Sequence, residues 1–479
     1  TDKSNLVAAV NENFGSIGTN QTNIGNNQTA IGTIANLNTS ATNLVAAVNE
    51  NLGSIDANAT DIGTNETAIG TLTDLDTSAT NLVGAVNENV GSIATNTNNI
   101  SSNTSGISTI NNTTLVNFSS GARFYDSGDG NIGVGTGSLI NNTTGAYNTA
   151  SGFQALYSNT EGSNNTASGF QTLRNNTTGG SNTASGFAAL FNNIGGDNNT
   201  ASGSHALFNN TSGSGNTGFG FKSLYSNQTG INNIALGNQA LYSNTTGNQN
   251  TALGSTALFS NIGGTDNTAS GFSALYFNTT GANNTASGSY ALYSNIDGNN
   301  NTASGFQALY SNTSGSFNTA SGFAALYSNT DGNNNTASGS YALFNNISGD
   351  GNTASGVEAL YNNTTGGSNT ASGFKALYFN ETGDNNIALG NQALYSNTTG
   401  NQNTALGSTA LFSNIGGTDN TASGYQALYS NTSGNSNSAY GVTALYSNTT
   451  GQNNTASGYQ SLYSNIDGNN NTASGFQAL

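Results

Sequence analysis

Histidine, cysteine and clustered carboxylates carry most protein chemistry, and this chain offers very little of it. His205 is its only histidine and it has no cysteine. Neither a Ser-His-Asp arrangement nor a thiolate or multi-histidine metal site is therefore expected. His205 stands where sister repeats carry Tyr290 and Tyr341, so it reads as a tolerated ring in a structural position. Asp297, Asp331 and Asp467 precede glycines in turns, but a calcium site needs several carboxylates and most repeats supply one or none. Paired carboxylates at a matched spacing for glycoside cleavage do not recur. The many Asn-x-Ser/Thr triplets follow from a composition rich in both residues. The expectation is a chain that is not an enzyme, with no catalytic residue, no metal and no cofactor in its repeats.

Only 6% of the 479 residues are charged, and the net charge is −17. Lys3, Arg123, Arg174, Lys222 and Lys375 are the only cations, too few for a basic stripe, so nucleic acid is not an expected partner. No stretch approaches the roughly 20 apolar residues of a membrane span, so no membrane insertion is expected. Proline, methionine and tryptophan are absent as well, leaving burial and hydrogen bonding to supply stability. The chain starts at Thr1 and stops at Leu479 in mid-repeat. The expectation is that both ends of a longer protein are missing, and with them any signal peptide, anchor or receptor-binding tip.

What could position side chains here is periodicity. From Gly135 onward a 17-residue unit, N-T-A-S-G-F-Q-A-L-Y-S-N-T-x-G-x-x, recurs about twenty times without insertion. Five rows never change: glycine (Gly152 and its equivalents), the leucine four residues later (Leu156), and a second glycine (Gly162) between two asparagines (Asn159 and Asn165). Glycine and asparagine tolerate positive φ, and helical repeats are usually longer. The unit therefore predicts a mainly β fold, a parallel β-solenoid over 135–479, with asparagine ladders along its axis. At the usual spacing of about 4.8 Å between strands, twenty coils give a rod of roughly 100 Å. Where the serine before glycine becomes Leu236, Leu253, Leu389 or Leu406, the phenylalanine after it (Phe153 in the standard unit) becomes Asn238, Ser255, Asn391 or Ser408. Where that phenylalanine is Ser204, Ser289 or Ser340, His205, Tyr290 or Tyr341 follows at once. Both swaps read as compensation at constant volume in an inward-facing core.

Residues 1–110 hold three 38-residue copies, marked by Leu6, Leu44 and Leu82. Within them Val10, Ile17, Ile24 and Ile31 are seven apart, as are Val48 to Ile69 and Val86 to Ile107. A seven-residue apolar period predicts a coiled-coil stalk, followed by a connector over 111–134. With those residues at position a, position d is filled mostly by asparagine, and three symmetry-related amides around one axis satisfy one another or hold a small ion or water. Glycines such as Gly18, Gly25 and Gly63 weaken the helix by up to about 1 kcal/mol each. A solvated, irregular Asn/Thr-rich linker is the alternative.

The Ile-x-x-Asn-x-x-x-Ile pattern resembles the stalks of trimeric autotransporter adhesins. That resemblance implies a chloride or other small anion at the three-fold axis, held by Asn20, Asn27, Asn58, Asn65, Asn96 and Asn103. The N-L-V-A-A-V-N-E-N phrase resembles a segment of bacteriophage tail fibres. In the second region N-x-A-x-G resembles the left-handed β-roll heads of the same adhesins, and the whole unit resembles repeats in tail-fibre-like proteins of phages, other large viruses and marine bacteria. The 17-residue period is longer than is usual in adhesin heads. These likenesses imply a homotrimer, extracellular, on a virion or a cell surface. The first reading is a viral or phage tail-fibre shaft that presents a tip to a host. The second is a bacterial adhesin or extracellular filament. A third is binding of polysaccharide or ice by the threonine and asparagine ladders, whose regularity Ile194, Ile262 and Ile296 interrupt.

Overall fold

A computed structural model describes residues 94, 95, 97, 98, 116–117, 123–126 and 129–479. Two compact units divide the chain at Val134 and Gly135. In the first, Ala94, Thr95, Thr97 and Asn98 are helical. Its strands β1 (Val116–Asn117), β2 (Arg123–Asp126) and β3 (Ile132–Val134) pair antiparallel in chain order. The rest of the heptad region, including all six seam asparagines, lies outside the described residues.

The second unit is a parallel β-solenoid. Each coil contributes one three-residue strand, from β4 (Thr149–Ser151) to β23 (Thr472–Ser474). Consecutive strands pair in parallel with no slip, Ala150 opposite Ala167 and so on up to Ala456 opposite Ala473. Thr-Ala-Ser suits this place because successive strand side chains point to opposite sides. Only the small middle residue turns inward, an alanine in every coil but that of Gly218, and it is buried throughout while its neighbours face out. Outside the strand the coil-to-coil bonding continues. Leu156 N donates to Thr172 O at 3.0 Å, Ser158 N to Arg174 O at 2.9 Å and Gln171 N to Phe153 O at 2.8 Å. Most of the coil perimeter is thereby hydrogen-bonded along the axis without regular strand geometry.

The turns are made partly by unexpected residues. Besides Gly152 at φ 140°, each coil holds residues in the left-handed region that are not glycine, such as Gln154 (53°), Leu156 (51°) and Asn164 (61°). Leucine there costs about 1–2 kcal/mol, and complete burial of its side chain returns about 1.5–3 kcal/mol. The tight corner therefore persists because it aims the only large interior side chain of the coil at the axis.

The interior of a coil such as the one at Ala150 consists of Ala150, Ala155, Leu156 and the amides of Asn159 and Asn165. The inward-facing core expected of Phe153 and its leucine substitutes is corrected by this geometry. Phe153 is 42% exposed, and Leu236, Leu253, Leu389 and Leu406 are exposed as well. The strand middle already takes the inward direction with alanine, so the third strand residue and the one beyond glycine point outward. Position 236 and its partner two residues on do trade bulk, but at the surface.

Candidate functional surface

Two asparagine rows hold the coils together from inside. Asn159 Nδ2 donates to Asn142 Oδ1 of the preceding coil at 2.7 Å and to the Gly162 carbonyl at 2.9 Å. Asn165 Nδ2 donates to Asn148 Oδ1 at 3.1 Å and to the Gly179 carbonyl at 2.8 Å. Asn165 Oδ1 accepts the backbone N–H of Asn182 at 2.9 Å. Both hydrogens of each amide are used, which is what permits full burial of so polar a pair. Gly162 O also accepts from Asn148 Nδ2 at 2.8 Å, so one glycine carbonyl joins the two rows. A Cβ at Gly162 would lie 2.5 Å from Asn159 Oδ1 and 2.6 Å from Asn176 Nδ2, against the Gly179 carbonyl. This close approach is why only glycine fits.

Aromatic rings form a third row, half-buried, at the position after leucine. From Phe191 to Tyr463 every coil supplies a Phe or Tyr, stacked on the next at 5.0–5.3 Å between centroids and within 23° of parallel. One coil further back the ring is replaced by Arg174. Its guanidinium lies 5.2 Å from the Tyr157 centroid and 5.6 Å from that of Phe191, filling the gap as a planar cation between two π faces. The Phe153 row runs beside it, with Phe153, Phe170 and Phe187 stacked at 5.1–5.2 Å.

In three coils where the Phe153 row has serine (Ser204, Ser289 and Ser340), the next residue bridges the two rows. Tyr290 meets Phe272 at 5.3 Å and Tyr293 at 5.6 Å. Tyr341 meets Phe323 at 5.2 Å and Phe344 at 5.6 Å. His205 does the same between Phe187 and Phe208, with Nδ1 2.9 Å from Ser204 Oγ. Burial, aided by the Lys222 charge, lowers its pKa below the ordinary imidazole value. Burial, then neighbouring rings, raises the pKa of Tyr293, Tyr310 and Tyr446. Tyr378 shifts the same way, through burial and the Glu358 carboxylate.

Along the row after leucine the stacked rings turn their faces to each other and their edges outward. Acidic side chains on the loops serve as backbone acceptors: Gly180 N donates to Asp197 Oδ1 and Gly367 N to Asp384 Oδ1, both at 2.7 Å. Among the described residues no three His, Cys, Asp or Glu side chains gather where a metal could bind, and no helix is long and apolar enough to cross a membrane.

No family model, curated protein or solved structure matches the chain.

Of the residues singled out in the sequence, Gly152, Leu156, Asn159, Gly162 and Asn165 each fall into an axial row, and Phe153 lies on the outer surface with the leucines that replace it. The stacked ring row and the place of Arg174 within it were missed. The signal is the Tyr or Phe that follows leucine in nearly every coil.

Proposed function

We propose that the chain is the shaft of an extracellular fibre, a homotrimeric viral or phage tail fibre that holds an attachment tip away from the particle. The observation that carries this is the uninterrupted, unslipped stack of strands from Thr149 to Ser474. Every coil satisfies its neighbours along one direction, so what the sequence specifies is length: nineteen steps between the first and last strand, roughly 90 Å. Exposed rings in the Phe153 row, present in many of the coils, give a second copy apolar surface to cover. The heptad region upstream, with asparagine in its seam, supports three copies around an axis, and the anion there is part of the same proposal.

Electron microscopy of the chain in its native assembly tests this. Rods with a solenoid section near 90 Å, projecting from a virion, are the expected image. Rods projecting from a bacterial surface would replace the virion assignment with the adhesin, and the absence of any rod would overturn both.

A further inference from the structure

Three adjacent outward rows carry no charged residue in any coil: those of Thr149, Ser151 and Phe153. The acids of the solenoid lie elsewhere. Glu161, Asp197, Asp266, Asp297, Asp331, Asp350, Glu381, Asp384, Asp419 and Asp467 all occupy the loop of rows 160–164. The remaining one, Glu358, is paired with Lys375 at 3.4 Å. Two copies of a chain with net charge −17 repel at any approach that brings those loops together. The strand face is where they meet without charge.

That face is not uniform along its length. Residues 232–271 recur letter for letter as 385–424, nine coils later. Each copy replaces the standard threonine with isoleucine (Ile234, Ile387) and the standard serine with leucine (Leu236, Leu253; Leu389, Leu406). In strands β9 (Ile234–Leu236) and β10 (Thr251–Leu253) the two leucines stand directly beside one another, with Ile234 beside Thr251, and likewise in β18 (Ile387–Leu389) and β19 (Thr404–Leu406). All six are 36–41% exposed. In the same coils the Phe153 row loses its rings to Asn238, Ser255, Asn391 and Ser408, so the apolar bulk moves sideways onto the strand. The result is two matching leucine–isoleucine knobs about 43 Å apart on a strand face that is otherwise mostly hydroxyl-lined; Phe219, which extends the first knob beside Leu236, and Tyr440 are the exceptions.

We infer that these knobs dock a second copy of the same chain, lying parallel and in register, block on block. This rests on the reading of the chain as a self-associating shaft and adds which face associates and what sets the axial register. A partner must share the rise per coil to meet both knobs at once, and a second copy does so by construction. Around an axis parallel to the rod, the same residue of each copy arrives at the same height. In register, both leucine blocks bury against themselves. A one-coil stagger leaves each block half matched, a nine-coil stagger buries one block, and most other shifts set leucine against threonine and serine hydroxyls.

The absence of cysteine makes the test clean. Full-length chains carrying Leu236→Cys alone, treated with a short bis-maleimide, are expected to give linked homodimers in high yield. Asp297→Cys, on the acidic loop, is expected to give few. A mixture of Leu236→Cys and Leu389→Cys chains should yield far less 236–389 product than either homodimer. The quadruple substitution of Leu236, Leu253, Leu389 and Leu406 by serine installs the residue most coils already carry, so the coils should fold and melt as before. Its self-association constant should weaken by roughly tenfold or more. Equal linking at 236 and 297, or an unchanged association constant with intact folding, would overturn the inference. If rods are still seen in those experiments, the shaft reading stands while the docking face falls; if no rods form, both fall.

Discussion

At the scale of single residues, the coil depends on atoms that are absent. Gly298 occupies the invariant place between asparagine rows. Its carbonyl accepts from Asn295 Nδ2 at 3.0 Å and Asn284 Nδ2 at 2.8 Å. A Cβ there would sit 2.5 Å from Asn295 Oδ1 and 2.8 Å from Asn312 Nδ2, against the Gly315 carbonyl. Gly298→Ala must therefore push apart two coils and disturb both amide rows. A loss of about 3 kcal/mol or more is expected, read as a lower midpoint in chemical denaturation; an unchanged midpoint would mean the coils have slack. Asn295→Ala should cost a similar amount. It removes the donor to Asn278 Oδ1 and Gly298 O and the acceptor for Asn312 Nδ2, leaving buried partners unpaired. The invariant glycines and asparagines were legible in the sequence because such close approach and pairing admit nothing else. Leucine at φ near 51° was not legible, since nothing in its spacing separates a buried leucine in a strand from one at a left-handed corner.

At the scale of elements, the ring row behaves as one object. Tyr293, Tyr310, Tyr378 and Tyr446 have raised pKa values, so the fold favours their neutral form. That contribution is fully present below the unfolded value of about 10 and is lost as pH rises through the higher folded values. Unfolding followed by circular dichroism should show stability level from about pH 8 to about pH 10, above the His205 titration, and falling beyond it; a flat profile to about pH 12 would contradict the stack. Arg174 offers a second check. Arg174→Tyr restores the consensus ring between Tyr157 and Phe191, and should leave stability within about 1 kcal/mol of the parent. Arg174→Ala opens the gap and should destabilise. If tyrosine harms and alanine does not, the guanidinium is not acting as a rung. Which side of the coil is the core was misread for a physical reason. Aromatic bulk usually marks an interior, but a coil of 17 residues with one three-residue strand closes around alanine and one leucine, leaving the larger rings outside.

At the scale of the whole molecule, repetition converts local rules into length. The period alone made the solenoid legible, because no other arrangement explains twenty insertion-free units with five invariant rows. The number of chains was not legible there: it depends on how outward rows meet another copy, and a single coil does not encode that. In the proposed assembly three parallel chains bury the uncharged strand face and leave the acidic loops in water. Hydrodynamic mass of the full chain, by sedimentation equilibrium at moderate salt, tests this most directly. The account predicts the mass of three chains. The mass of one chain, across concentrations, would contradict it.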